Sequence, residues 1–186
     1  MDKLLKLIKE KQDLFNRPLV IGIDGRCGSG KTTLSLKLKE ILDCQIIHLD
    51  HFFLQAHQRT KERLNEVGGN FDYERFILEV KNLLLNNKDI IYKRFSCSSM
   101  RLEEDIYINR NKIIIIEGTY SFHPLINEIY DIKIFVDINK EEQIKRIRDR
   151  DGEFFLNKFI NEWIPKEEAY FSKFNIVNNV DIIIQN

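Results

Sequence analysis

At 186 residues the chain fits one domain, long enough to bury a full core. Its 29 basic and 29 acidic residues cancel, so no global field draws it onto nucleic acid or an anionic membrane. Hydrophobic residues at 43% and charged residues at 31% describe an ordinary soluble globule, and three cysteines without C-x-x-C spacing argue against a disulfide framework and for a reducing, cytoplasmic setting.

The first fifteen residues set Leu4, Leu5, Leu7, Ile8, Leu14 and Phe15 among lysines and acids, a pattern for a packed surface helix with no uninterrupted apolar span. Leu19 to Asp24 reads as a buried parallel strand, and Leu34, Leu38, Ile41 and Leu42 fall on one helical face after it. Between them lies Gly25-Arg26-Cys27-Gly28-Ser29-Gly30-Lys31-Thr32, the pattern G-x-x-x-x-G-K-[ST]. Gln45 to Leu49, Ile113 to Ile116, Ile132 to Val136 and Ile182 to Ile184 are further short, β-branched runs, mostly separated by helical patterns.

A long excursion separates the second run from the third. A turn at Gly68-Gly69-Asn70 precedes a helical stripe of Tyr73, Phe76, Ile77, Val80, Leu83 and Leu84, and then a hairpin built from Ile90 to Phe95 and Ile106 to Ile108. Near the C-terminus one helix breaks at Asp151-Gly152, a second carries Leu156, Phe159, Ile160 and Trp163, and Pro165 kinks it or starts another. The expected fold is a single three-layer α/β/α phosphate-loop domain over residues 1–186, with a five-stranded parallel sheet. Residues 68–110 form an inserted, hairpin-containing subregion, and residues 146–156 a short helical segment around the Asp151-Gly152 break.

The glycine loop supplies the first chemistry. Glycines take backbone angles closed to other residues, so successive N–H groups, through Thr33, turn inward and cup phosphate oxygens at the positive end of a helix. Lys31 then reaches the β/γ-phosphates of ATP, and the Thr32 hydroxyl serves Mg²⁺, a hard cation that keeps most of its waters. Three strands end in acids, Asp50, Glu117 and Asp137, at the sheet edge where ligands bind. Asp50, expected on the strand beside the loop strand, faces the γ-phosphate as a proton acceptor or a magnesium ligand, or simply caps the strand. Cys44, His48 and His51 lie close in sequence, but His48 sits in a strand whose neighbours point to opposite faces, which argues against a metal cluster.

The chain resembles the uridine kinase and phosphoribulokinase family of phosphate-loop kinases. The likeness is carried in order by Gly25 to Thr32, Asp50-His51-Phe52-Phe53, Asn70-Phe71-Asp72, Glu117-Gly118, Lys133 to Asp137, Arg146 to Gly152, Trp163-Ile164-Pro165 and Val180 to Ile184. The resemblance implies that Asp50 is general base to the acceptor hydroxyl, that Glu117 lies near magnesium, and that Asp72 receives ribose hydroxyls. Asp72 also suits the N-cap of the helix it precedes. Arg146, Arg148 and Arg150 resemble lid arginines that stabilise the transferred phosphoryl group, with Arg146 and Arg150 the ones expected to act.

The same family implies an aromatic residue and a histidine on the hairpin against a pyrimidine. Tyr92 matches the first, but Cys97 stands at the second, and a thiol cannot replace an imidazole hydrogen bond. Phe53 lacks the hydroxyl of the family tyrosine. The expected activity is therefore Mg²⁺-dependent transfer of the ATP γ-phosphoryl to a small hydroxyl metabolite, first a nucleoside at its ribose 5′-hydroxyl. Nicotinamide riboside, pantothenate or a phosphosugar are alternatives, the last needing a basic pocket from Lys93, Arg94 or Arg101. A nucleotide switch is disfavoured by the missing guanine motif, and a silent binding module by Lys31, Thr32, Asp50 and Glu117 together. No nucleic acid or membrane partner is expected, and self-association stays open.

Overall fold

The computed structural model describes residues 1–15 and 17–186. Helix α1 (Asp2–Leu14) leads to strand β1 (Val20–Gly25), all six of whose residues are buried, and the glycine loop then opens helix α2 (Lys31–Ile41). Strand β2 (Cys44–His48) ends in a 3₁₀ turn over Leu49–Phe52. The excursion that follows holds the short helices α3 (Lys61–Asn65), α4 (Tyr73–Phe76) and α5 (Asn82–Leu85), the last two joined by a π-helical turn over Ile77–Lys81. Strands β3 (Ile90–Ser96) and β4 (Arg101–Ile108) form the expected antiparallel hairpin as a separate two-stranded sheet.

Strands β5 (Ile113–Glu117), β6 (Ile132–Asp137) and β7 (Ile182–Gln185) complete a five-stranded sheet in the order β2-β5-β1-β6-β7, parallel throughout. Parallel strands need coverage on both faces, and period-two alternation supplies it. Ile21, Ile23, Ile113 and Ile115 pack with Leu4 and Ile8 of α1 and Leu34 and Leu38 of α2. Val20, Ile114, Ile116 and Phe135 face the other way, onto Phe52, Phe76, Tyr92 and Tyr170. Ile41, expected in the α2 stripe, is instead exposed, because that helix buries its face only through Leu34, Ser35 and Leu38.

The strand order corrects one expectation. Asp50 does not follow the neighbour of the loop strand, since β5 lies between β1 and β2. Glu117 at the tip of β5 is the acid in direct register, opposite Ile23 on one side and His48 on the other. The Leu49–Phe52 turn carries Asp50 back over the sheet edge.

Beyond β6, helix α6 (Lys140–Lys158) is broken inside by Gly152 at φ 79°, ψ 169°, where the sequence shows its Asp-Gly break. A π-helical turn over Phe159–Trp163 runs directly into α7 (Ile164–Lys173), so Pro165 sits just after the turn that interrupts the regular α-helical ladder. No described helix is long and apolar enough to cross a membrane.

Candidate active site

Gly25, Gly28 and Gly30 all have positive φ, at 144°, 73° and 95°. At Gly25 the need is also spatial: a Cβ would lie 2.1 Å from the carbonyl oxygen of Val136 on β6. The loop's carbonyls are all engaged. Lys31 Nζ donates to Gly25 O (2.6 Å) and Arg26 O (3.0 Å), and Gln143 Nε2 donates to Cys27 O (3.0 Å). Arg146 reaches Gly28 O at 3.4 Å, Asn186 Nδ2 reaches Ser29 O at 2.6 Å, and Leu34 N–H takes Gly30 O at 2.9 Å. With its oxygens turned outward, the loop offers N–H groups to the space it encloses, together with the unpaired first N–H groups of α2.

The Thr32 hydroxyl at the start of α2 lies 3.2 and 3.3 Å from the two Glu117 carboxylate oxygens. His48 Nδ1 stands 2.5 Å from Glu117 Oε1, a contact that fixes the carboxylate's rotation. Asp50 is open to the cavity yet walled by protein behind. That loss of solvent, and then the Glu117 charge, raise its pKa above the usual carboxylate range against the pull of Lys31, His48 and Arg150. A hydroxyl with two hard carboxylates nearby fits magnesium, which takes few protein ligands and retains water. Among the described residues no three His, Cys, Asp or Glu groups form a closed metal cage, and Cys44 is buried in the core rather than joined to His48 and His51.

These groups open into a cavity of about 1250 Å³. Gly28, Gly30, Lys31, Thr32, Thr33, Asp50, Phe53, Cys97, Glu117, Arg146 and Arg150, all singled out from sequence, line it. Others do not. Asp72 is 1% exposed, caps α4 by accepting the Arg75 N–H (3.1 Å), and has its second oxygen 3.5 Å from Arg75 Nε. Tyr92 is equally buried, packed on Phe52, with its hydroxyl 3.0 Å from His51 Nδ1. Burial pushes the His51 ring down to about 4, helped by His48 and Arg94, so it stays neutral. Asn70, rather than Asp72, reaches the cavity wall.

Arg26 turns its side chain away from the cavity, onto Asp137 and onto Glu168 at 2.6 Å, leaving only its backbone in the loop. Of the arginines on α6, Arg148 points to solvent with Glu153 while Arg146 and Arg150 border the cavity. Lys93 and Arg94 pair with Asp105, Glu103 and Glu104, and neither they nor Arg101 line the wall. The positive groups on the outer wall are Arg59 and Lys158, set beside Glu162 and an aromatic surface of Phe155, Phe159 and Trp163.

Two carboxylates at the loop are absent from the sequence expectations. Asp24, fully buried at the end of β1, accepts from Gly25 N–H (2.7 Å), Phe122 N–H (3.0 Å) and the Tyr170 hydroxyl (2.8 Å). Burial raises its pKa to about 6, against those donors and Lys31. Glu167 on α7 accepts from Cys27 N–H (3.0 Å), and burial raises its pKa also. Both had a sequence signal: Asp24 is a charge within an apolar strand, and Glu167 shares a helical face with Trp163 and Tyr170.

The pattern of the Phosphoribulokinase / Uridine kinase family matches residues 20–153. A uridine kinase of Clostridium perfringens is 31% identical over 174 residues, covering 84% of this chain and 82% of that one. A uridine kinase of Chlamydia pneumoniae is 32% identical over 143 residues, covering 72% of this chain and 64% of its own length. Among solved structures, a possible uridine kinase from Bacillus stearothermophilus superposes with a TM-score of 0.70 at 19% identity, over 98% of this chain and 99% of that one. This last likeness bears on the fold alone.

Proposed function

The chain belongs to the phosphoribulokinase / uridine kinase family of ATP-dependent kinases, and from its cavity we propose that it transfers the γ-phosphoryl of ATP, with Mg²⁺, to a hydroxyl of a small metabolite, foremost a nucleoside. The carrying observation is that Asp50 opens into the same cavity as the glycine loop, Thr32 and Glu117. Asp50 orients the acceptor hydroxyl and takes its proton as the bond to phosphorus forms. Thr32 and Glu117 would hold magnesium, which, when bound, neutralises charge on the phosphate oxygens. Lys31 and the first N–H groups of α2 hold the phosphates, while Arg146 and Arg150 face charge spreading onto the transferred group.

Little covalent chemistry is asked of the side chains, so positioning and exclusion of water carry the rate. The segment 146–156 serves as the lid, with Gly152 as its break. At the acceptor end Phe53, Cys97, Met100 and Asn70 form the wall, one apolar enough to stack a planar base but without an imidazole for its edge.

An assay with ATP, Mg²⁺ and a panel of nucleosides, vitamins and phosphosugars, scored for ADP and a phosphorylated product, tests this reading. Acceptor-dependent ADP release with a nucleoside is expected. Product from pantothenate or a phosphosugar alone would reassign the acceptor, and slow hydrolysis indifferent to every acceptor would refute the kinase. Replacing Arg146 or Arg150 by Met should lower kcat by about 10²- to 10³-fold, as loss of one charge-stabilising group does. Arg148→Met, altering only a solvent-exposed pair, should stay within about twofold. Equal losses at all three positions would contradict the division between cavity and solvent.

A further inference from the structure

Helix α7 grips the phosphate loop at three points. Glu168 accepts from Arg26, Glu167 accepts from the Cys27 N–H, and the Tyr170 hydroxyl donates to Asp24, the residue just before the loop. Asp24 is the innermost of these. One of its oxygens fixes the Gly25 N–H, and the carbonyl of that same residue receives Lys31 Nζ at 2.6 Å and the Thr119 hydroxyl at 3.2 Å. The other oxygen joins the Phe122 N–H, in the segment after β5, to Tyr170. Three donors converge on two oxygens with no solvent access, an arrangement that suits an acceptor-only carboxylate and no amide.

We propose that Asp24 is a positioning residue for the donor nucleotide: it holds Gly25 by its N–H, across the Cα from the carbonyl that seats Lys31, and Tyr170 ties that setting to α7. The proposal rests on the loop being the ATP site and assigns a role to a residue outside the loop motif. Asp24 touches no phosphate and acts through Lys31. An Asn there would turn an NH₂ group toward one of the three donors and release the peptide. Tyr170→Phe is the milder change, since the ring keeps its contacts with Tyr120 and Phe174 while the hydroxyl alone is lost.

Affinity for a non-hydrolysable ATP analogue with Mg²⁺ is the readout, compared among the intact chain, Tyr170→Phe, Asp24→Asn, Lys31→Met and the double variant Asp24→Asn with Lys31→Met. Tyr170→Phe is expected to weaken binding about threefold and Asp24→Asn about tenfold, each leaving the acceptor KM unchanged. In the Lys31→Met background the Asp24 change should add less than about twofold, because the group it positions is gone. Wild-type affinity in both single variants overturns the inference, and so does a tenfold Asp24 effect that persists without Lys31. If Asp24→Asn fails to fold, the Tyr170→Phe affinity decides in the same way. An intact chain that bound no analogue would sink the kinase reading itself and this inference with it.

Discussion

Asp50→Asn is expected to fold and to bind ATP, yet to lose on the order of 10²- to 10⁴-fold in acceptor-dependent turnover, the usual contribution of a positioned general base. The amide has nearly the same shape as the carboxylate and no affinity for the acceptor proton. The side chain stands open to the cavity and accepts no hydrogen bond that the fold depends on, so melting temperature should change little. ADP release measured with and without acceptor checks this directly. Turnover near that of the intact chain would remove Asp50 from the base role. A loss confined to Mg²⁺-nucleotide affinity would make it a metal ligand beside Glu117.

Gly25→Ala is the second large effect, and it falls on the fold as well as the site. The substitution forces a side chain onto φ 144°, which L-residues rarely adopt, and places its Cβ 2.1 Å from a backbone oxygen of the adjacent strand. Neither the carbonyl of Val136 nor the loop can step aside without disturbing β1 and β6. A loss of about 3 kcal/mol or more in chemical denaturation follows from strain and overpacking together, with nucleotide binding abolished. Gly152→Ala is the matched comparison, because it too has positive φ but nothing within 4 Å of its Cβ. Its cost should stay within about 1–3 kcal/mol. Similar losses at both glycines would show that backbone conformation alone, without the close approach of β6, decides.

The donor half of the site was legible in the chain because its signals are local. Spacing from Gly25 to Thr32, flanked by a strand and a helix, already places N–H groups, lysine and hydroxyl together. Glu117 and Asp50 were visible as acids ending apolar runs. Their order across the sheet was not, because hydrophobic periodicity says which residues face the core and nothing about which strand lies beside which. Asp72 and Tyr92 show the converse difficulty: a family position carries over by alignment, while whether the side chain reaches the cavity depends on its contacts with Arg75 and His51, which no motif specifies. Glu167 lay in plain sequence, but only the packing of α7 against residues 24 to 27 gives it meaning.

The outward-turned carbonyls of the glycine loop have an energetic corollary for ligand choice. Six consecutive residues, Gly25 to Gly30, each have their oxygen bound by the protein itself. The entropy of ordering them, about 1–2 kcal/mol per residue, is therefore met by folding and not charged to the arriving nucleotide. What remains is a preorganised loop whose uncommitted groups are N–H donors. A triphosphate meets N–H groups already aimed at its oxygens, whereas a hydrogen-bond donor of the same size finds the loop's own carbonyls taken.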